Sequence, residues 1–110
     1  MTSVKFLADK KGLYGFEISG HSSFDCDDSA GKIVCAAVSS AAFMTANTIT
    51  EIIGDKAQAR VDDALMVVKC ENPSDKSKAV LEGLRLHLTE LATQYSNNIK
   101  IFGGAKNVKD

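Results

Sequence analysis

The chain contains a single proline, Pro73, in 110 residues of which 45% are apolar, a balance that excludes a linker and describes an ordered globule. Long apolar runs are missing too: none approaches the ~18 residues of a membrane span, and the N-terminus lacks the charged-then-apolar order of a secretion signal. A cytoplasmic protein with no membrane partner is expected. Charge of one sign is not in excess, since 13 basic and 14 acidic residues leave a net charge of −1. The lysines and arginines are scattered, which gives no footprint for direct nucleic-acid binding and leaves protein as the expected macromolecular partner. Cysteine is sparse. Cys26, Cys35 and Cys70 cannot all pair, and without an export signal they read as thiols rather than a disulfide framework. No Cys-x-x-Cys pair occurs, and a set of His21, Cys26 and Cys35 would supply only three ligands, so neither a metal nor another cofactor is expected.

What is present is periodic. Residues 3–8 alternate, and Tyr14, Phe16 and Ile18 alternate after the turn Asp9-Lys10-Lys11-Gly12, which predicts a hairpin running into Gly20-His21. From Ser22 to Gly31 the composition turns small and acidic, as in a mobile loop. From Lys32 to Ile53 the spacing of Ile33, Ala36, Ala37, Ser40, Phe43 and Met44 predicts one long helix ended by Gly54. Its first half is rich in alanine and serine, which lets backbones pack closely. A second hairpin follows, with Ala57, Ala59 and Val61 on one strand, a turn at Asp62-Asp63, and Ala64 to Val68 on the other. Asn72 is placed to cap a second helix with Pro73 at its first position, and Leu81, Leu84, Leu88, Leu91 and Tyr95 mark the apolar stripe. Residues 99–102 read as a last strand before a frayed tail. The result is an α+β fold, two helices packed on a mixed β-sheet in the order β-β-α-β-β-α-β. One domain over residues 1–110 is expected, and the small core of so short a chain favours self-association as a homodimer.

The chemistry concentrates around His21 and Cys35, 14 positions apart across the polar loop. A cysteine nucleophile needs a base for its proton and a local field that favours the anion. A helix starting at Lys32 would place Cys35 in its first turn, where free N–H groups stabilise a thiolate and an oxyanion. The dipole contributes only about 0.3–1 kcal/mol at an exposed terminus, so an imidazolium at His21 must supply most of the stabilisation. Asp25, Asp27 and Asp28 are the nearby groups able to orient His21, and the residues single out none of them. Ser39, one helical turn beyond Cys35, is placed either to touch substrate or to hydrogen-bond the Cys35 carbonyl. Cys70 reads as a small buried hydrophobe in a strand, and His87 as a helix residue without chemistry.

Gly20-His21 followed by Gly31-Lys32-Ile33-Val34-Cys35-Ala36-Ala37-Val38-Ser39 resembles the ribosomal-processing cysteine protease family Prp (YsxB-like), over essentially the whole chain. The resemblance implies a homodimeric enzyme with Cys35 as nucleophile and His21 as base, and no cofactor. It also implies a substrate, the N-terminal extension of large-subunit ribosomal protein L twenty-seven, cut after an aromatic residue. Many members of that family carry an aspartate three residues before the nucleophile, where this chain has Lys32, so a triad role for that aspartate does not carry over. Lys32 brings positive charge toward Cys35 instead. Cys26 adds a second thiol able to form a reversible disulfide with Cys35. The alternative from the residues alone is a non-catalytic, ribosome-associated interaction module built on the same loop and helix.

Overall fold

Alternation in the first twenty residues makes two strands, β1 (Thr2–Asp9) and β2 (Gly12–Ser19), in the computed structural model, which describes residues 1–20 and 29–104. Thr2, Val4 and Phe6 of β1 point to the buried face while Lys5 points to water, and the antiparallel register sets Phe6 opposite Phe16 and Val4 opposite Ile18. The connecting turn is held by the Asp9 carboxylate, which accepts the Lys11 N–H at 2.8 Å. A second hairpin, β3 (Ala57–Asp62) and β4 (Leu65–Cys70), joins the sheet through β4 on β2, and β5 (Ile99–Gly103) adds in parallel beside β1. The strand order is β3-β4-β2-β1-β5, so the expected mixed sheet and element order are both observed.

Two helices cover one face of this sheet. The first, α1 (Ser29–Asn47), starts three residues earlier than the composition predicts. Gly31, read from sequence as the edge of the loop, is a buried helical residue, despite the roughly 1 kcal/mol helix penalty of glycine. The predicted long helix also changes character near its end, because Thr48–Ile53 form a π-helical segment. Thr45, Thr48 and Thr50 each donate a hydroxyl to the carbonyl four residues back, at 2.8, 2.7 and 3.1 Å. Such bonds compete with the backbone ladder and loosen it. Gly54, at φ 88°, then ends the segment with its N–H on the Ile49 carbonyl, a left-handed cap that suits glycine.

The buried face of α1 differs from the expected one. Val34, Val38, Ala42, Thr45 and Ile49 face the sheet, whereas Ile33, Phe43 and Met44 are exposed. The helix is apolar almost all round, so its periodicity does not select a face, and the sheet does. By length and composition the helical stretch Ser29–Ile53 is also apolar enough to cross a membrane, but here its buried side is core. The second helix, α2 (Asp75–Gln94), buries Leu81, Leu84 and Leu88 as its stripe predicts, with Leu91 and Tyr95 packed at the margin.

The cap of α2 is Ser74, not Asn72. The Ser74 hydroxyl accepts the Ser77 N–H at 3.3 Å, and Asn72 adopts a left-handed φ of 65° before the helix. Asp55 decides the matter. Its carboxylate accepts the Ser74 N–H at 2.9 Å and the hydroxyls of Ser74 and Ser77 at 2.6 and 2.5 Å, tying the end of the π-helical segment to the start of α2. These bonds, the Ser74 hydroxyl foremost, then the Ser77 hydroxyl and the Ser74 N–H, hold the Asp55 carboxyl below its ordinary range. A lowered folded-state value means that the unfolded chain takes up the proton first. The stabilisation is therefore present above about pH 3.9, the ordinary aspartate value, and is lost as pH falls through the lower folded value. Urea unfolding between pH 2 and 6 is expected to show this loss, and Asp55→Asn to flatten it; an unchanged slope in the variant would remove Asp55 as its cause.

Candidate functional site

Cys35 stands at the seventh position of α1, between the buried anchors Val34 and Val38, and is itself half-buried. Those anchors set the helix rotation that brings Cys35 and, one turn on, the exposed Ser39 to the wall of a cleft of about 180 Å³. The opposite wall comes from the sheet: Ile18 near the end of β2, Val61 of β3 and Leu65 of β4. The cleft is largely apolar, which suits an apolar side chain next to a reacting bond.

Gly20 lies at the rim and determines where the chain leaves the sheet toward His21. Its φ is 86°, and a Cβ there would stand 2.5 Å from the Met1 carbonyl oxygen, so only glycine fits. Its N–H donates to the Ala64 carbonyl at 3.0 Å. Ala64, a cleft residue in the β3–β4 turn, holds a left-handed φ of 59°, a strain of about 1–3 kcal/mol for a residue with a side chain. Gly20, the last described residue before position 21, is thus anchored to the β3–β4 turn at a place where Met1 leaves no room for a side chain.

Of the residues singled out from sequence, Cys35 and Ser39 are brought together in this cleft. His21, Asp25, Cys26, Asp27 and Asp28 fall at positions 21–28, outside the described residues, and with them most of the loop read as mobile. The Ser39 hydroxyl makes no hydrogen bond among the described residues, so it is not spent on the Cys35 carbonyl, and the residue lines the cleft. Lys32 is exposed in the first turn of α1. The earlier helix start changes one expectation. Cys35 is in the second turn, where its N–H closes an intrahelical bond to the carbonyl four residues back, so that N–H is not a free oxyanion donor, and the dipole acts mainly within the first turn. Cys70 is buried in β4 as expected; burial, with the negative charge of Asp55 adding to it, pushes its thiol up and keeps it protonated. His87 is an exposed residue of α2. Sequence reasoning missed Val61, Ala64 and Leu65, because no local signal reports that a distant hairpin will close over a helix.

Solved structures with this architecture include two of an essential ribosomal processing protease Prp from S. aureus. One, in complex with a substrate peptide, superposes with a TM-score of 0.84 at 19% identity, covering 94% of this chain and 99% of that one. The other, with a covalently linked product peptide, gives 0.82 at 20% identity over the same shares. SMU.848 from Streptococcus mutans gives 0.81 at 24% identity, over 94% of this chain and 96% of its own. At these identities the likeness shows a shared fold. No curated protein matches. The family model for cysteine protease Prp matches residues 1–100. A match spanning nearly the whole sheet and both helices means that the chain belongs to the cysteine protease Prp family.

Proposed function

We propose that this protease uses Cys35 as nucleophile and His21 as general base, and that its substrate is the N-terminal extension of large-subunit ribosomal protein L twenty-seven. The observation that carries the assignment is the half-buried Cys35 in the wall of the cleft at whose rim Gly20 hands the chain to His21. His21 takes the Sγ proton, and the thiolate attacks the carbonyl carbon of the scissile bond. The imidazolium then returns its proton to the leaving amine, which leaves a thioester on Cys35. Water, deprotonated by His21, hydrolyses that thioester and frees the enzyme. The S. aureus relative described as a ribosomal processing protease, with a covalently linked product peptide, supports both the thiol chemistry and the substrate class. With Cys35 in the second turn, stabilisation of its thiolate rests on His21, aided by the charge of Lys32, rather than on the helix terminus. Ser39 lines the same cleft and contacts the substrate. The enzyme acts in the cytoplasm as a homodimer, for which the exposed Ile33 and Met44 of α1 supply apolar surface.

Alkylation with iodoacetamide tests the pairing without substrate. At pH 7 Cys35 is expected to react at least about a hundredfold faster than the buried Cys70, and His21→Ala to slow Cys35 about tenfold while leaving Cys70 unchanged. Peptide mapping reads each cysteine separately. Equal rates at Cys35 in the two proteins would remove His21 as its base.

A further inference from the structure

The free edge of β3 is built like a binding site. The Glu71 N–H donates to the Lys56 carbonyl at 3.0 Å, and the register continues from there as Ala57 opposite Cys70, Gln58 opposite Lys69 and so on to Asp62 opposite Leu65. In an antiparallel ladder hydrogen-bonded pairs alternate with non-bonded ones. Lys56, Gln58, Arg60 and Asp62 therefore turn their backbone groups toward β4, while Ala57, Ala59 and Val61 turn theirs outward. β3 is the outermost strand on its side of the sheet, and these outward N–H and C=O groups have no partner among the described residues.

Edge strands are ordinarily blunted by lysine, proline, bulges or a covering element. Among the described residues β3 has no lysine, proline, bulge or cover, and its two charges, Arg60 and Asp62, pair with each other on the face away from the helices: its sequence is Ala-Gln-Ala-Arg-Val-Asp, its register is unbroken, and Ala59 and Val61 are exposed. The side chains of Ala57, Ala59 and Val61 pair with Cys70, Val68 and Met66, and so lie on the helix side of the sheet, where Ala57 packs against the core while Ala59 and Val61 are left uncovered. The strip runs without a break into the cleft, because Val61 is both its last outward residue and a lining residue beside Cys35 and Phe43.

We propose that the substrate peptide binds by adding as an extended strand to the outer edge of β3, with its main chain on Ala57, Ala59 and Val61 and its scissile bond delivered to Cys35 at the Val61 end. Rise per residue sets the scale: three outward residues span about 14 Å and accept about five residues of extended peptide. Main-chain bonds hold the peptide whatever its sequence, while alternate side chains fall beside Val61 and Phe43, which favours apolar groups at those positions. The continuity with the Cys35 cleft selects a peptide substrate over a second copy of the chain as occupant.

This inference rests on the proposed cysteine chemistry, and the test separates the two. Cleavage of a synthetic peptide spanning the N-terminal region of the ribosomal protein is followed for Ala59→Pro, which removes one outward N–H and leaves the β4 ladder intact, and for Gln58→Ala as control. Ala59→Pro is expected to raise KM about tenfold, with Cys35 alkylated by iodoacetamide at the wild-type rate, while Gln58→Ala leaves KM unchanged. A scan of backbone N-methylation along the peptide, measured as binding to Cys35→Ala, is expected to weaken affinity at every second residue. That scan uses an unaltered β3 and decides the matter should Ala59→Pro misfold. A flat scan, an unchanged KM, or a dimer that Ala59→Pro converts to monomer in sedimentation overturns strand addition. A peptide that neither binds nor is cut overturns the substrate reading itself.

Discussion

Cys35→Ala is expected to abolish peptide cleavage, by on the order of 10⁴-fold or more, because the remaining groups have no atom to form the covalent intermediate. The domain should still fold. Cys35 is half-buried at a cleft wall, and its truncation opens onto existing space rather than creating a closed cavity. Circular dichroism and thermal unfolding check that half of the expectation, and product analysis by mass spectrometry checks the other. His21→Ala is expected to cost less, about 10²- to 10⁴-fold in kcat, since the thiol survives and water can take its proton slowly. Retention of wild-type cleavage by folded Cys35→Ala would overturn the nucleophile assignment, and the cleft would then need another.

Phe16→Ala has the largest expected effect on stability. Phe16 is fully buried in β2, opposite Phe6 of β1 and Val68 of β4, so its loss empties the centre of the core. Such truncations cost about 3–5 kcal/mol, a large share of the roughly 5–15 kcal/mol that holds a domain together. A fall in Tm of about 15 °C or more follows for a chain of this length. Met44→Ala is the informative contrast, because Met44 is 67% exposed and its truncation should change stability by about 0.5 kcal/mol or less. Urea unfolding of both variants tests the rotation of α1: comparable losses would mean that Met44, not Val38 or Ala42, faces the sheet.

Family membership decides for an enzyme over the non-catalytic module that the same residues also permitted. Much of the fold was legible beforehand because its signals are local. Strict alternation in β1 and β2, the leucine spacing of α2 and the glycine after Ile53 each constrain their own segment. The cap of α2 was misplaced for the opposite reason. Asn72-Pro73 is a good local signal, but Asp55, far away in sequence, binds Ser74 and Ser77 and moves the start of the helix. The start of α1 was misplaced similarly, since Gly31 breaks a helix by propensity and joins one when buried. That shift removed the Cys35 N–H from the oxyanion role assigned to it.

The sequence by itself determined the element order, the sheet and helix composition, and the burial of Cys70. Each follows from periodicity or residue chemistry within a short window. Only the tertiary structure decided which side of α1 is buried, and therefore that Cys35 and Ser39 open into a cleft while Ile33 and Met44 face water. A helix apolar on every side carries no preferred face of its own; its orientation is chosen by the sheet it packs against. The same holds for the second wall of the cleft and for the open edge of β3, which exist because strands distant in the chain take adjacent places in one sheet.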